Sequence, residues 1–188
     1  MSEPDDRDLM VRAQSGDRTA FDEIVRRHEP AVYAYARRCL GDQARAAEVC
    51  QDAFVRAYTY RASFKPEAGT VKGWIMSVAA NRVRDALRAR KNAPRPIEDA
   101  SQIAATAEEG LAAFERLEVR DGVARALETL DEDHREVLAL RYVSGLSYEE
   151  VARILGIGVS AAKMRAARAR DILARKLAHF AQDTRRPK

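Results

Sequence analysis

The chain has 188 residues, enough for one large or two small domains; 33% of its residues are charged and only 6% are aromatic. With nine glycines and six prolines, this composition predicts a helix-rich protein. The net charge is +4, and two basic blocks, Arg82–Lys91 and Lys163–Lys176, favour contact with a polyanion. No apolar run approaches the roughly 18 residues that span a bilayer, and the N-terminus lacks a signal pattern, so we expect a cytoplasmic protein without membrane insertion.

The first third of the chain has the apolar periodicity of helices. A first helix is predicted over Asp6–Gln14, followed by a turn at Gly16-Asp17. Thr19 followed by Asp22 resembles a capping box that starts a second helix. Pro30 either kinks that helix or opens the next one.

A third helix is predicted from about Gln43 to Tyr60. Its apolar residues recur at spacings of three and four, which is typical of core packing. The opposite face carries polar side chains, and composition alone indicates only a solvated face there: Glu48, Gln51, Asp52 and Arg56. Cys39 and Cys50 fall on apolar faces, so we expect two buried thiols, with a redox switch as the remaining alternative.

A loop over Phe64–Gly69, which contains Lys65, precedes a helix predicted from Thr70 to Arg90. Polar side chains crowd the later turns of this helix, and they include Asn81, Arg82, Arg84 and Arg88. Trp74, the single tryptophan, lies just after the loop. An aromatic ring near arginines and asparagine is typical of surfaces that hold unstacked bases, although spacing alone favours Trp74 as a core residue.

The apolar periodicity is lost from Asn92 to about Gly110, where prolines, alanines and acidic residues predict a flexible acidic linker. Helical periodicity resumes near Leu111. Asp131 is placed to cap a further helix that ends at Ser144-Gly145. No strand alternation is present in the sequence, so we predict an all-α fold of two helical domains.

The stretch from Leu146 to Leu177 predicts a helix-turn-helix unit. Ser147 and Glu150 match a capping box, and the glycines at 156 and 158 end the first helix after about two turns. The second helix should bury its small residues, which are Ala162, Ala166 and Ala169, with Leu173 and Leu177. Its other sides carry Met164, Ala167, Arg168, Asp171 and Arg175, with Lys163 at the edge and Arg165 and Arg170 on the flanks.

Flanking arginines suit phosphate contacts and central ones suit base edges, so Arg168 is the candidate guanine reader. Met164 and Ala167 offer apolar contact, for example to a thymine methyl group. The alternative interpretation is a solvated basic helix that binds nothing.

Four blocks of the chain resemble bacterial sigma factors of the extracytoplasmic-function (ECF) group, which belongs to the sigma-70 family. AFDEIVRRHEPAVYAYARRCLGD and AEVCQDAFVRAYTYRASF resemble the early parts of their region 2. GWIMSVAANRVRDALRAR resembles the helix that holds the minus-ten promoter element. LETLDEDHREVLALRYVSGLSYEEVARILGIGVSAAKMRAARAR resembles region 4, which reads the minus-thirty-five element.

This resemblance implies a region 2 domain over 1–91, a linker over 92–112 and a region 4 domain over 113–188. It implies that the chain binds the clamp helices and flap of core RNA polymerase and initiates transcription at promoter DNA, under the control of an anti-sigma factor. Gln51 and Asp52 match the motif that lies on the clamp helices, and Glu48 shares their face. Asn81 matches the asparagine that contacts the minus-ten element, and Phe64–Gly69 matches the loop that captures a flipped base.

The arginines that follow Asn81 are then candidate phosphate partners, namely Arg82, Arg84 and Arg88. In region 4, the positions that match base-facing or backbone-facing residues are Lys163, Met164, Ala167 and Arg168. The alternative function is a stand-alone helix-turn-helix regulator, but the sequence contains no recognisable dimerisation module. We expect no enzymatic activity, since no catalytic spacing is present, and no metal or other cofactor, since the three histidines are dispersed.

Overall fold

The structure is a computed structural model that describes residues 4–92, 126–127 and 129–183. The N-terminal half (residues 4–92) contains α1 (Asp6–Gln14), α2 (Arg18–Leu40), α3 (Gln43–Thr59) and α4 (Val71–Asn92), with 3-10 turns at Arg61–Ser63 and Pro66–Ala68. The C-terminal half (residues 126–183) contains α5 (Glu132–Leu138), a π-helical turn (Ala139–Val143), α6 (Tyr148–Leu155) and α7 (Val159–Asp183).

The predicted all-α fold class is confirmed, because every regular element in the described ranges is helical. Over the same ranges, the helices are too short or too polar to cross a membrane. The linker predicted over 92–112 lies outside the described residues except for Asn92, and so does the helical pattern predicted from Leu111 to residue 125.

Aspartates begin the first three helices. Asp5, Asp17 and Asp42 each accept a hydrogen bond from the backbone N–H three residues later. The predicted capping box of Thr19 and Asp22 is therefore wrong. Asp17 has the extended backbone of a cap residue, whereas Thr19 lies inside the helix and donates its hydroxyl to Asp17 at 2.7 Å.

Helix α2 continues through Pro30 to Leu40, so Pro30 does not open a new helix. A proline inside a helix removes one hydrogen bond and costs about 3 kcal/mol. Burial on both sides of Pro30 offsets this cost, because Ile24 and Val32 are completely buried. Each such aliphatic side chain contributes about 1.5–3 kcal/mol when it leaves water.

The core of the N-terminal half lies between α1, α2, α3 and α4 and includes Met10, Tyr35 and Ile75 as fully buried side chains. Cys39 and Cys50 are buried free thiols in this core, which confirms the predicted burial. Burial raises the pKa of Cys39 to about 12 and the pKa of Cys50 to about 11. Both groups are therefore neutral thiols at physiological pH, and neutral thiols are poor nucleophiles.

The helix-turn-helix unit of the C-terminal half forms where it was predicted. Ser147 and Glu150 form both hydrogen bonds of the capping box at the start of α6. Helix α6 ends at Gly156, whose φ of 66° is a left-handed conformation that costs glycine little. Asp131 caps α5 as predicted, by accepting the N–H of His134.

The two halves pack directly against each other. Helix α2 contacts α5 and the π-helical turn, and α4 contacts α6, so one continuous apolar core runs through both halves. The sequence predicted two domains but not this contact between them. Asn81 and Arg168 nevertheless both remain exposed at the surface.

Candidate nucleic-acid interface

Helix α7 has a buried face and an exposed face, as the helical periodicity predicted. Ala162, Ala166 and Ala169 are completely buried. Because these side chains are small, α7 packs closely against α5 and α6. Five of the predicted minus-thirty-five residues are exposed on the other sides of the helix: Lys163, Met164, Arg168, Arg170 and Arg175.

Three of the minus-thirty-five candidates are partly buried or have a partner within the protein. Arg165 is half-buried and lies 3.4 Å from the Asp133 carboxylate, and Arg170 donates to the Tyr142 hydroxyl at 3.4 Å. Ala167 is half-buried. In the described residues neither Arg168 nor Arg175 has an ion-pair partner, so both charges are available to an external anion.

The loop that connects α3 to α4 borders a cavity of about 320 Å³. Phe64, Trp74 and Gly69 are among the lining residues. Pockets of about 300–1,000 Å³ hold drug-sized ligands, so a nucleobase fits by volume. The Phe64 ring is 5% exposed and packs edge-on against Trp74 with 5.8 Å between ring centroids, so it forms an inner wall, while Lys65 is exposed at the loop.

Two residues that the sequence did not single out hold this loop in place. The Gln14 amide, at the end of α1, donates to the carbonyls of Arg61 at 2.8 Å and Phe64 at 3.0 Å. Arg61 donates through Nε to the Ala13 carbonyl at 2.8 Å, and its guanidinium lies 4.2 Å from the centroid of the Tyr58 ring. No local sequence signal identifies Gln14, because its partners are 47 and 50 residues away.

Helix α4 presents Asn81 beside three arginines, Arg82, Arg84 and Arg88. Arg84 Nη1 donates to Asn81 Oδ1 at 3.0 Å. Arg82 and Arg88 both pair with Asp85, Arg88 at 3.5 Å, and Arg88 is exposed. Asn81 and Arg88 are thus open to solvent, whereas Arg82 and Arg84 are engaged within the protein.

Arg84 also donates through Nε to the Glu136 carboxylate of α5 at 3.0 Å, and Tyr35 OH donates to the same oxygen at 3.1 Å. Burial raises the pKa of Glu136, and the nearby Arg84 charge acts in the opposite direction. Burial also raises the pKa of Tyr35 well above its ordinary value. Neutral Tyr35 therefore remains a hydrogen-bond donor at physiological pH.

The predicted polymerase-binding residues lie on α3, next to the minus-ten candidates. Glu48 and Gln51 are exposed, and Asp52 lies 3.1 Å from Arg56 and 3.6 Å from Arg82. Two apolar side chains on this part of the chain, Val55 and Tyr60, are 57% and 59% exposed and were not predicted. Both fall outside the apolar periodicity of the predicted third helix, and this is the sequence signal that could have identified them as exposed.

Two family models match the chain: Sigma-70 region 2 over residues 24–93 and Sigma-70 region 4 over residues 120–173. The RNA polymerase sigma factor CarQ of Myxococcus xanthus is 33% identical over 161 residues, which cover 85% of this chain and 90% of that protein. The ECF RNA polymerase sigma-E factor of Escherichia coli K12 is 32% identical over 184 residues, which cover 92% of this chain and 94% of that protein. The chain belongs to the ECF family of RNA polymerase sigma factors.

Solved sigma factor structures have the same fold as this sigma factor. CnrH, solved in complex with the cytosolic domain of CnrY, superposes with a TM-score of 0.69 at 29% identity and covers 93% of this chain and 97% of that one. The sigma factor RpoE of Bartonella quintana, solved with the anti-sigma factor NepR, gives a TM-score of 0.68 at 25% identity over 84% and 96% of the two chains.

As a member of this family, the sigma factor directs transcription initiation by binding core RNA polymerase and recognising promoter DNA. The region 2 match contains α3, the loop at Phe64–Gly69 and α4, and the region 4 match contains α5, α6 and the exposed basic residues of α7 as far as Arg170. Arg175 lies beyond the matched residues.

Proposed function

We propose that this sigma factor reads the minus-thirty-five duplex with the exposed face of α7 and that Arg168 is its base-reading side chain. The observation that carries this proposal is the exposed Arg168 without an ion-pair partner in the described residues, on a face opposite the buried alanines. Lys163, Met164 and Ala167 surround the same contact. Arg165, Arg170 and Arg175 bind phosphates along its edges.

The minus-ten element is bound by the N-terminal half. A base flipped from the minus-ten element enters the cavity between Phe64, Lys65 and Trp74, and Asn81 hydrogen-bonds a neighbouring base. Flipping costs a few kcal/mol, and stacking on an aromatic ring returns about 1–3 kcal/mol per base. Arg82, Arg84 and Arg88 then neutralise phosphates of the separated strand.

Core polymerase binds α3 through Glu48, Gln51 and Asp52 at its clamp helices, and region 4 binds its flap. We assign region 2 to residues 1–91 and region 4 to residues 113–188, joined by a linker over 92–112. The protein has no catalytic activity of its own and works in the cytoplasm with polymerase. An anti-sigma factor controls it, and the related CnrH and RpoE structures, solved with CnrY and NepR, support this regulation.

Transcription from genomic DNA tests this function directly. The purified chain is mixed with core polymerase from its own bacterium, and the transcripts are sequenced from their 5′ ends. We expect a small set of shared start sites that requires both components. Tight binding to duplex DNA by the chain alone, without association with core polymerase, would instead support a stand-alone regulator.

Single substitutions distinguish the proposed contacts with the minus-thirty-five duplex, the minus-ten element and core polymerase. Arg168→Ala should weaken binding to the promoter duplex by about 1–3 kcal/mol if the side chain is a bidentate base contact, whereas equal losses on all sequences would make it a phosphate contact. Asn81→Ala should reduce promoter opening more than polymerase association. Gln51→Ala should reduce polymerase association, and Arg18→Ala, an exposed residue at the start of α2 without a role in these contacts, serves as the control.

A further inference from the structure

A cavity of about 300 Å³ opens at the surface where the C-terminal half meets α2. It is distinct from the cavity beside the loop between α3 and α4, because the two have no lining residue in common. Tyr142 and Val143 are 50% and 37% exposed, so part of its wall faces solvent. Most of the wall is apolar and consists of Leu127, Leu138, Ala139, Tyr142, Val143 and Leu173.

The π-helical turn forms one side of this cavity. Over Ala139–Val143 the backbone bonds at a spacing of five residues, and the Ser144 N–H donates to the Ala139 carbonyl at 2.9 Å. The turn contributes Ala139, Tyr142 and Val143 to the wall. Because π-helical turns are rare and frequently occur at functional sites, the cavity has the unusual backbone that accompanies many binding sites.

Three arginines complete the lining, and two of them have hydrogen-bond donors to spare. Arg135 is committed to the protein, since it donates to three backbone carbonyls at 2.8, 3.0 and 3.1 Å. Arg170 makes one long hydrogen bond, to the Tyr142 hydroxyl at 3.4 Å. In the described residues Arg38 has no hydrogen-bond or ion-pair partner, and no carboxylate is among the lining side chains. The cavity therefore combines an apolar wall with positive charge that no acid of its lining neutralises.

The volume and the charge of the cavity define the class of ligand. One water molecule takes about 30 Å³ of the liquid, so the cavity holds roughly ten non-hydrogen atoms. A specific protein interface uses about 20–30 residues on each side, whereas nine of the described residues line this cavity. A carboxylate matches the free guanidinium groups, because it accepts charge-assisted hydrogen bonds from them. These properties favour a small molecule with an anionic head and an apolar tail.

We propose that this cavity binds a small amphiphilic carboxylate with an apolar tail of about eight carbons. The carboxylate pairs with Arg38 and Arg170, and the tail lies against Leu138, Val143 and Leu173. Arg170 is also a proposed phosphate contact, so the bound carboxylate takes donors that the promoter duplex uses. The ligand therefore weakens duplex binding, and this consequence, unlike the site itself, rests on the proposed function.

Calorimetric titration of the full chain with octanoate tests the site, because octanoate has a carboxylate and a tail of the required length. Acetate has the head without the tail, and octanamide has the tail without the charge. We expect octanoate to bind at a single site about tenfold more tightly than either, with the negative heat-capacity change that marks burial of apolar surface. Affinity no higher than that of octanamide, or binding of several octanoates per chain, would overturn the inference.

Two substitutions on the wall and two matched controls locate the site. Arg38→Ala removes an arginine without a proposed role in binding DNA or polymerase, and Val143→Asp places a negative charge beside the carboxylate. Arg18→Ala and Val11→Asp are the same changes at exposed positions of α2 and α1. We expect about tenfold weaker octanoate binding in both wall variants and unchanged binding in the controls, because a charge-assisted hydrogen bond is lost or opposed. An octanoate affinity of Arg38→Ala within about twofold of the wild type would contradict the proposed site.

Circular dichroism checks that Val143→Asp keeps its helices, and Arg38→Ala decides alone if it does not. Promoter-duplex binding with and without saturating octanoate tests the consequence. We expect weaker binding on all sequences and a salt slope lower by about 1, as for the loss of one phosphate contact. Octanoate binding with unchanged duplex affinity refutes the competition for Arg170. Failure of promoter-specific transcription without octanoate refutes the proposed function, whereas failure of octanoate to bind refutes the site.

Discussion

Gln14 connects the first helix to the loop between α3 and α4, the proposed minus-ten contact, and offers a sharp test of how that loop is held. Its amide group donates to two loop carbonyls, those of Arg61 and Phe64. Gln14→Leu keeps a side chain of similar size and removes both donors. We expect this variant to be less stable and to bind minus-ten single strands more weakly, because the wall of the cavity loses its anchor.

The size of the effect follows from the two acceptors. A hydrogen bond contributes about 0.5–1.5 kcal/mol net, so two bonds give about 2 kcal/mol. The Arg61 carbonyl also accepts the backbone N–H of Phe64 at 3.1 Å and therefore keeps a partner in the variant. We accordingly expect a loss of about 1–2 kcal/mol in the free energy of unfolding.

Urea unfolding measures this loss, and Trp74 fluorescence reports the loop itself, because Trp74 is the single tryptophan and packs against Phe64. Ser15→Ala is the matched control: it removes an exposed hydroxyl that bonds only within α1, to Val11. We expect changed native fluorescence in Gln14→Leu and not in Ser15→Ala. Equal stability of the two variants, with identical fluorescence, would refute the assigned role of Gln14.

Three further predictions concern two helix caps and the buried thiols. Ser147→Ala should lose about 1 kcal/mol of stability in urea and bind the promoter duplex more weakly, since the capping box starts the helix before α7; full duplex affinity would contradict this. The pKa of Asp17 is lowered to about 2, first by the Thr19 hydroxyl and then by Arg12, so its stabilisation is complete above its ordinary pKa of 3.8 and is lost as the pH falls through about 2. Asp17→Asn should therefore flatten the acid side of a stability profile, and an unchanged profile would refute the assignment. Cys39 and Cys50 should react slowly with Ellman's reagent at pH 8 in the native protein and rapidly in urea, because burial raises both pKa values; a rapid native burst would contradict the burial.

Local signals determined most of the individual helices. The Ser147–Glu150 capping box and the left-handed Gly156 involve residues close together in the chain, so their chemistry is visible in the sequence. Thr19 illustrates the limit of such signals, because the sequence pattern assigned the cap to Thr19 and the backbone conformation places it at Asp17, two residues earlier.

The two faces of α7 were also determined by the sequence, since an isolated amphipathic helix already separates its alanines from its arginines. Only the tertiary structure decided which of the charged residues are available to bind an external anion. Arg84 and Arg88 look alike in the sequence, yet Arg84 is bound to Glu136, 52 residues away, while Arg88 is exposed. Contacts between distant segments depend on how two helical halves pack, and helical periodicity carries no information about the partner that a buried face will meet.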